Sequence, residues 1–259
     1  ITLGSPDTPL PFAYPAYMID PDTGTTSNTP SLLPPVADRN FTSTNASITV
    51  NQTTGVLNWA AGVEGFTIVR CTYADGCYNE VSFGIQVPFV LETLVPTGGL
   101  NYRFNLQGSQ YIDYGDGTSE FNTGSMDHTY AASGGGFGTW RTIKIFDQSA
   151  TKKFTGISAW TSYNTNPARI IRSNILKWGD IVWEFFSFRR NINPIGIRNE
   201  AGDYPKFGSS LTSLEDSFNM FRDFAQINGG SGDTNTRFGD PNGSLNSWKI
   251  STASGSLGN

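Results

Sequence analysis

The sequence predicts a mainly β protein made of two or three small domains. The chain has 259 residues, of which 29 are Gly and 14 are Pro, and residues that interrupt regular structure this often disfavour long helical bundles. Charged residues make up 15%, against roughly 25% in an average soluble domain. Short runs in which apolar and polar residues alternate are typical of half-buried strands. At roughly 100 to 200 residues per domain, the length suits two or three domains.

Residues 1–35 are predicted to form a proline-rich extended arm. Eight of the fourteen prolines lie there, and proline removes the backbone donors that a central strand needs. Asp20 and Asp22 belong to a turn ending at Gly24. Their carboxylates are weak candidates for Ca²⁺, but with no third acid nearby a plain turn is the preferred interpretation.

Residues 36–87 are predicted to form the first β-sandwich. Val81, Phe83, Ile85 and Val87 alternate with polar or small residues, which indicates one buried and one exposed face. The run Thr53-Thr-Gly-Val-Leu-Asn-Trp59, followed by a strand from Gly65, resembles the immunoglobulin-like or cadherin-like modules of bacterial and phage surface proteins. This resemblance implies an antiparallel sandwich.

Two cysteines, Cys71 and Cys77, flank the turn Asp75-Gly76 on a predicted hairpin. A disulfide between them would close a short loop and add about 2 kcal/mol in an oxidising compartment. The alternative is a pair of half-buried thiols. Because two lone cysteines lie so close together, we predict the disulfide.

Residues 88–157 carry the most specific motif. It consists of Tyr111-Ile-Asp-Tyr-Gly-Asp-Gly-Thr118, then Asp127-His-Thr-Tyr130, then Gly138-Thr-Trp-Arg-Thr-Ile-Lys-Ile-Phe-Asp147. These three blocks resemble the PKD (polycystic kidney disease) domain in order and spacing. The resemblance implies a β-sandwich in which six residues are structural: Asp113, Gly115, Asp116, Gly117, His128 and Tyr130.

His128 is the only histidine, so a site that needs two imidazoles is excluded. In the PKD family this histidine packs and forms hydrogen bonds, which implies a structural role here. No G-x-S-x-G motif supplies a serine nucleophile. Asp113, Asp116 and Glu120 could imitate a glycosidase pair, but they lie on one turn instead of facing each other across a cleft. No catalytic residue and no cofactor are therefore predicted.

Residues 158–259 are predicted to form a short, irregular leucine-rich-repeat region. The runs Trp178-Gly-Asp-Ile181, Asp203-Tyr-Pro205 and Leu211-Thr-Ser-Leu-Glu-Asp-Ser-Phe-Asn-Met-Phe221 resemble the BspA-like leucine-rich repeats of bacterial surface proteins and some phage structural proteins. A partial repeat relates Phe188 to Phe221, an offset near 33 residues. The large apolar residues are expected to fill the core of stacked turns: Phe185, Phe188, Leu214, Phe218 and Phe221.

The net charge of −5 is unevenly distributed, with −9 in residues 1–140, +7 in residues 141–198 and −3 in residues 199–259. The basic segment suits a phosphate-binding face or contacts between acidic and basic modules of different copies. We prefer protein contacts and expect no nucleic acid partner. No apolar run approaches 18 residues, so no membrane span is predicted. The chain begins with Ile1, which indicates a processed protein or a fragment.

The resemblances together imply a non-enzymatic structural or adhesion protein on a surface. The first candidate is a phage virion decoration or fibre protein, favoured because no anchor or sorting signal is visible. A bacterial cell-surface adhesin or extracellular filament subunit is the alternative. A carbohydrate-binding accessory module is the second alternative, which the scattered positions of the six tryptophans disfavour. Expected partners are other copies, a capsid, tail or cell-surface scaffold, and glycans or a host surface.

Overall fold

The fold is mainly β, as the sequence predicts. The computed structural model describes residues 12–32, 39–132, 138–160, 171–186, 195–199, 201–203 and 205–207. Those residues form strands and one short 3-10 helix, and they contain no α-helix. The described part of the chain also lacks any helix with the length and apolarity that a membrane crossing requires.

The chain divides into two compact units, Ile1–Val87 and Pro88–Asn259. The division lies between Val87 and Pro88, where the sequence also suggests a boundary. Each unit has its own cluster of buried apolar side chains.

The first unit contains nine described strands arranged in three sheets. They are β1 (Phe12–Ala13), β2 (Met18–Ile19), β3 (Ser27–Asn28), β4 (Ser31–Leu32), β5 (Asn40–Ser43), β6 (Ile48–Val50), β7 (Leu57–Trp59), β8 (Gly65–Thr72) and β9 (Tyr78–Ile85), with a 3-10 helix at Pro21–Thr23. The sheet orders are β2-β9-β8-β5, β3-β7-β6 and β1-β4. Only β2, which pairs with β9, is parallel to its neighbour among these described strands.

The predicted arm is not a separate element over its described residues, 12–32. Its two-residue strands pair with β7, β9 and each other. Phe12, Tyr14 and Met18 are buried, and the Tyr14 hydroxyl donates a hydrogen bond to the Gly55 carbonyl at 2.7 Å. Apolar side chains between the prolines therefore anchor this segment to the first unit, which corrects the boundary predicted at residue 35. Residues 1–11 and 33–38 lie outside the described residues.

Alternation along β8 and β9 produces the first core. Val69 and Cys71 on β8 and Phe83 and Ile85 on β9 are fully buried. The predicted alternation ends sooner than expected, because β9 stops at Ile85 and the polar residue that follows it, Gln86, is buried. The backbone N–H of Gln86 donates to the carbonyl of Ile19 at 3.0 Å.

The structure does not show the predicted disulfide, since Cys71 and Cys77 are both free in it. The hairpin register places Cys71 opposite Asn79, and the Tyr73 N–H donates to the Cys77 carbonyl at 2.9 Å. The cysteines are therefore offset by two residues along the hairpin and do not face each other.

We expect alkylation without a reductant to modify Cys77 in the native protein and Cys71 only after unfolding. Cys71 is fully buried, and this burial raises the pKa of its thiol, so both access and thiolate formation are suppressed. Cys77 is only partly buried. Intact-mass measurement before and after reduction tests the expectation. If the unfolded protein takes up label only after reduction, the predicted disulfide between Cys71 and Cys77 is present.

The second unit contains twelve described strands. They are β10 (Phe89–Val95), β11 (Leu100–Gly108), β12 (Gln110–Asp113), β13 (Ser119–Asn122), β14 (Ser125–Tyr130), β15 (Thr139–Asp147), β16 (Phe154–Trp160), β17 (Ile171–Lys177), β18 (Val182–Trp183), β19 (Phe185–Phe186), β20 (Ile195–Asn199) and β21 (Lys206–Phe207). They form sheets of order β13-β12-β15-β10-β17-β20, β14-β11-β16-β19 and β18-β21. Buried side chains from all three sheets belong to one cluster.

The boundary predicted at residues 157/158 does not divide the second unit. Strand β17 pairs with β10, so Ile175 lies opposite Leu91. Trp183 packs with its ring centroid 5.0 Å from that of Phe89 and 5.4 Å from that of Phe154. Residues after 158 therefore complete the core of the preceding segment, which is why the structure joins the two predicted domains.

Two parallel strand pairs share an offset of 24 residues. Ile171 on β17 lies opposite Ile195 on β20, and Val182 on β18 lies opposite Lys206 on β21. Asp203 lies between β20 and β21 and bonds to the segment between β17 and β18. Its carboxylate accepts hydrogen bonds from the N–H groups of Trp178 and Gly179, each at 2.8 Å. The predicted offset near 33 residues is not tested, because Phe188, Leu214, Phe218 and Phe221 lie outside the described residues.

Candidate functional site

The candidate site is the turn between β12 and β13, and its backbone depends on two glycines. Gly115 has φ 70° and Gly117 has φ 93°, values that favour glycine. The Asp113 carboxylate accepts a hydrogen bond from the Gly115 N–H at 2.9 Å, and the Tyr114 N–H donates to the Thr118 carbonyl at 3.1 Å. The sequence therefore closes this turn through local side-chain and backbone hydrogen bonds.

Asp116 connects the turn to β14. One carboxylate oxygen, Oδ1, accepts from the N–H and the hydroxyl of Thr118 at 3.0 and 2.6 Å. The other, Oδ2, lies 2.8 Å from His128 Nε2. Partial burial acts to raise the pKa of Asp116, but the hydrogen bonds from Thr118 and His128 outweigh it and lower this pKa below its usual value. The Asp116 carboxylate is therefore held ionised at neutral pH.

The His128 imidazole lies between two tyrosines. It stacks on Tyr114 with 3.8 Å between centroids and 9° between planes, and meets Tyr130 edge-on at 4.6 Å. Only 16% of its side chain is exposed. The ring thus fills the space between the turn and β14 while it holds Asp116.

Tyr114 and Tyr130 complete the cluster. The Tyr114 hydroxyl donates to Glu120 Oε1 at 2.5 Å, and the Tyr130 hydroxyl donates to the Tyr114 carbonyl at 2.9 Å. Burial is the main cause that raises the pKa of both tyrosines, and the hydrogen bond to Glu120 raises that of Tyr114 further. Both hydroxyls therefore remain protonated donors at neutral pH.

The structure brings together Asp116, His128 and Tyr130, three of the residues that the motif identified. Asp113 serves the turn through Gly115 and is not part of the ring cluster. The motif assigned no role to Tyr114, yet Tyr114 contacts both His128 and Glu120. Its position immediately before the Gly-Asp-Gly turn was the available signal.

The carboxylates of this turn are engaged in fixing its conformation. Asp113 bonds to the Gly115 backbone, Asp116 to Thr118 and His128, and Glu120 to the Tyr114 hydroxyl. Glu120 also accepts a hydrogen bond from Asn122 at 3.1 Å. The arrangement acts chemically as a hydrogen-bonded clasp between the turn and β14.

Replacing Asp116 by Asn should lower the free energy of unfolding of the second unit by about 1 kcal/mol at pH 7, because a charge-assisted hydrogen bond is lost. The pKa of Asp116 is lowered on folding, so its carboxylate stabilises the fold above the unfolded pKa. That contribution disappears as the pH falls through the lower folded value. Chemical unfolding from pH 7 to pH 2 should show a smaller acid-induced loss in the variant.

Asp127→Asn is the matched control, since Asp127 adjoins His128 on β14 but is half exposed, with its carboxylate 3.9 Å from Arg103. It should change stability by less than about 0.5 kcal/mol. Equal effects of the two substitutions would contradict a special role for Asp116.

The weak calcium candidates have a local structural role. Asp20 is the N-cap of the 3-10 helix Pro21–Thr23, and its carboxylate accepts a hydrogen bond from the Asp22 N–H at 3.1 Å. Within the described residues, no group of three or more His, Cys, Asp or Glu side chains is placed to hold a metal ion.

The described tryptophan side chains differ in exposure. Trp59, Trp178 and Trp183 are buried, whereas Trp140 on β15 is 43% exposed. The side chains of Trp160 and Trp248 lie outside the described set. No protein-family model, curated protein or solved structure matches this chain.

Proposed function

We propose that this chain is a non-enzymatic structural or adhesion subunit displayed on a surface. The preferred host is a phage virion, where the chain would be a decoration or fibre protein. The alternative host is a bacterial cell surface, where the chain would be an adhesin or an extracellular filament subunit. In this proposal residues 36–87 are immunoglobulin-like, residues 88–157 are PKD-like, and the later residues form BspA-like leucine-rich repeats. Such modules act as rigid spacers and interaction surfaces, so this step rests on resemblance.

The observation that carries the proposal is the clasp around His128. His128 and the acids Asp116 and Glu120 are bonded to side chains of the same cluster. An active site instead presents an acid, base or nucleophile toward a place where substrate can bind. The geometry thus favours a rigidified turn over a catalytic centre.

The leucine-rich-repeat element is supported by the 24-residue offset of β17 to β20 and of β18 to β21. Regular offsets between parallel strands are expected where successive coils stack. Stacked coils offer an extended surface suited to macromolecular partners.

Proposed partners are other copies and a capsid, tail or cell-surface scaffold. The acidic segment 1–140, the basic segment 141–198 and the acidic segment 199–259 support contacts between copies, since opposite charges steer association. The proposed surface location rests on the module resemblance.

A carbohydrate-binding accessory module is the second candidate, favoured by one observation. Trp140 presents 43% of its surface on β15, and exposed flat aromatic rings can stack on sugar faces. The same strand carries exposed Thr142, a side chain able to hydrogen-bond a sugar hydroxyl.

The test combines activity and binding measurements on the full chain. We expect no turnover of common polysaccharides or esters, together with binding to purified virions or bacterial cells that weakens as salt rises. Turnover abolished by Asp116→Asn with the fold intact would contradict the proposal. Binding to soluble glycans that is lost in Trp140→Ala would favour the second candidate. Genes for capsid and tail proteins beside this gene would identify a virion, and secretion genes a cell surface.

Loss of binding after a deletion of residues 1–35 would not show that this segment contacts a partner. The deletion would remove Phe12, Tyr14 and Met18, which are buried. Loss of binding would then report loss of the first unit's core. Surface substitutions are needed instead.

A further inference from the structure

One face of the first unit carries exposed side chains of the kind found in protein interfaces. Thr67, Val69 and Cys71 point into the core from β8, so the alternate residues of that strand point outward. We call the outward side chains of the two paired strands the β8–β9 face; it comprises Phe66, Ile68, Arg70 and Thr72 of β8 and Tyr78, Glu80 and Ser82 of β9. Ile68 is 43% exposed and Tyr78 is 51% exposed.

Arg70 occupies the middle of this face in a fixed position. Its Nη2 and Nε atoms lie 2.6 and 2.7 Å from Glu80 Oε1, and its guanidinium carbon lies 4.3 Å from the Tyr78 ring centroid. Both charged side chains stay substantially exposed, at 48% and 36%. Contacts on two sides reduce the entropy that Arg70 would lose on binding. Tyrosine and arginine are also the residue types enriched at interface hot spots.

The cross-strand pairs of this face join side chains that differ in size or in charge. The register places Ile68 beside Ser82, Arg70 beside Glu80 and Thr72 beside Tyr78. Consider a second copy related to the first by a two-fold axis that runs above the face, parallel to the strands and midway between β8 and β9. Strand β9 of the second copy then lies over β8 of the first, and β8 of the second over β9 of the first. Each residue of a cross-strand pair therefore faces the other residue of that pair in the second copy.

We propose that the β8–β9 face binds a second copy of this chain face to face about that axis. Arg70 of each copy then faces Glu80 of the other, so the surface is complementary to itself in charge. Ile68 lies over the small Ser82 of the second copy, and Tyr78 over Thr72. Such an isologous contact repeats every interaction twice, and two sheets pack in this way about 10 Å apart. The inference rests on the proposed function of a repeated subunit and names the surface it uses.

Charge reversal tests the proposed pairing. The variant Arg70→Glu carries two acids at the centre of the face, and Glu80→Arg carries two bases there. Each variant alone would oppose like charges across the axis and should dimerise at least about tenfold more weakly than the wild type. An equimolar mixture should form a heterodimer, since both cross-axis pairs become attractive. Sedimentation and native mass spectrometry of the full chain provide the measurement.

The matched control is the exposed pair Arg103 and Asp127, which joins β11 to β14 in the second unit with 3.9 Å between its charged atoms. Arg103→Glu and Asp127→Arg, alone or mixed, should leave association unchanged. Ile68→Asp should weaken it and leave the monomer folded, as circular dichroism would show, because Ile68 is exposed.

The outcomes separate this inference from the proposed function. Recovery of dimers only in the Arg70→Glu and Glu80→Arg mixture supports the pairing. If self-association is unchanged in both charge-reversal variants, the β8–β9 face is not the contact, but the proposed function as a repeated subunit still stands. A wild-type chain that stays monomeric overturns the face, and binding to virions or cells then decides the proposed function separately.

Discussion

Trp183→Ala should lower the free energy of unfolding of the second unit by about 3 to 5 kcal/mol. Trp183 is fully buried and its ring packs against Phe89, Phe154 and Trp178, with centroids 5.0 to 5.6 Å apart. Truncation would leave a cavity that strands paired in two sheets cannot close. Urea unfolding followed by circular dichroism, with the transitions of the two units analysed separately, measures the effect.

Val182→Ala is the control for this prediction. Val182 adjoins Trp183 on β18 but is 50% exposed, so its truncation should cost less than about 0.5 kcal/mol. Trp183→Ala and Phe89→Ala should also be non-additive, because the two rings are in contact. If Phe89→Ala shifts the unfolding transition and Trp183→Ala does not, the residues after 158 form a separate domain after all.

Local sequence patterns predicted the features that depend on neighbouring residues. The mainly β fold followed from frequent turn residues and short alternating runs, and the alternation of Phe83 and Ile85 correctly indicated a buried face. The resemblances of residues 36–87 and 88–157 to two different families suggested a boundary at Pro88, where the two compact units also divide. These features require no knowledge of which strands pair.

Features that depend on distant pairing were not predictable in this way. Leu91 lies opposite Ile175, and no local pattern indicates that a segment so far along the chain completes this core. The cysteines show the same limit at short range, since the hairpin register places Cys71 opposite Asn79. Closeness in sequence suggested a bond, but register decides which side chains face each other.

The clasp was predicted in part. The motif identified Asp116 and His128, which the structure places 2.8 Å apart. It did not identify the stacking of Tyr114 on His128, because that contact depends on how the turn sits against β14. Motif resemblance thus locates residues, whereas the partners of their side chains require the fold.

Gly115→Ala should destabilise the second unit by about 3 kcal/mol or more, far beyond the effect of Gly117→Ala. Both glycines have positive φ, 70° and 93°, so alanine at either position costs about 1 to 2 kcal/mol in backbone strain. Only at Gly115 would the added methyl group also lie 2.1 Å from a backbone atom, the Thr142 carbonyl oxygen, whereas nothing lies within 4 Å of a methyl at Gly117. Relief of that collision would move the turn away from β15 and separate Asp116 from His128. Parallel urea titrations of the two variants measure the difference, and the His128 ring resonances in NMR spectra report whether the clasp persists. Equal stabilities of the two variants, with unchanged His128 resonances in Gly115→Ala, would show that the close approach of the turn to β15 does not hold the clasp in place.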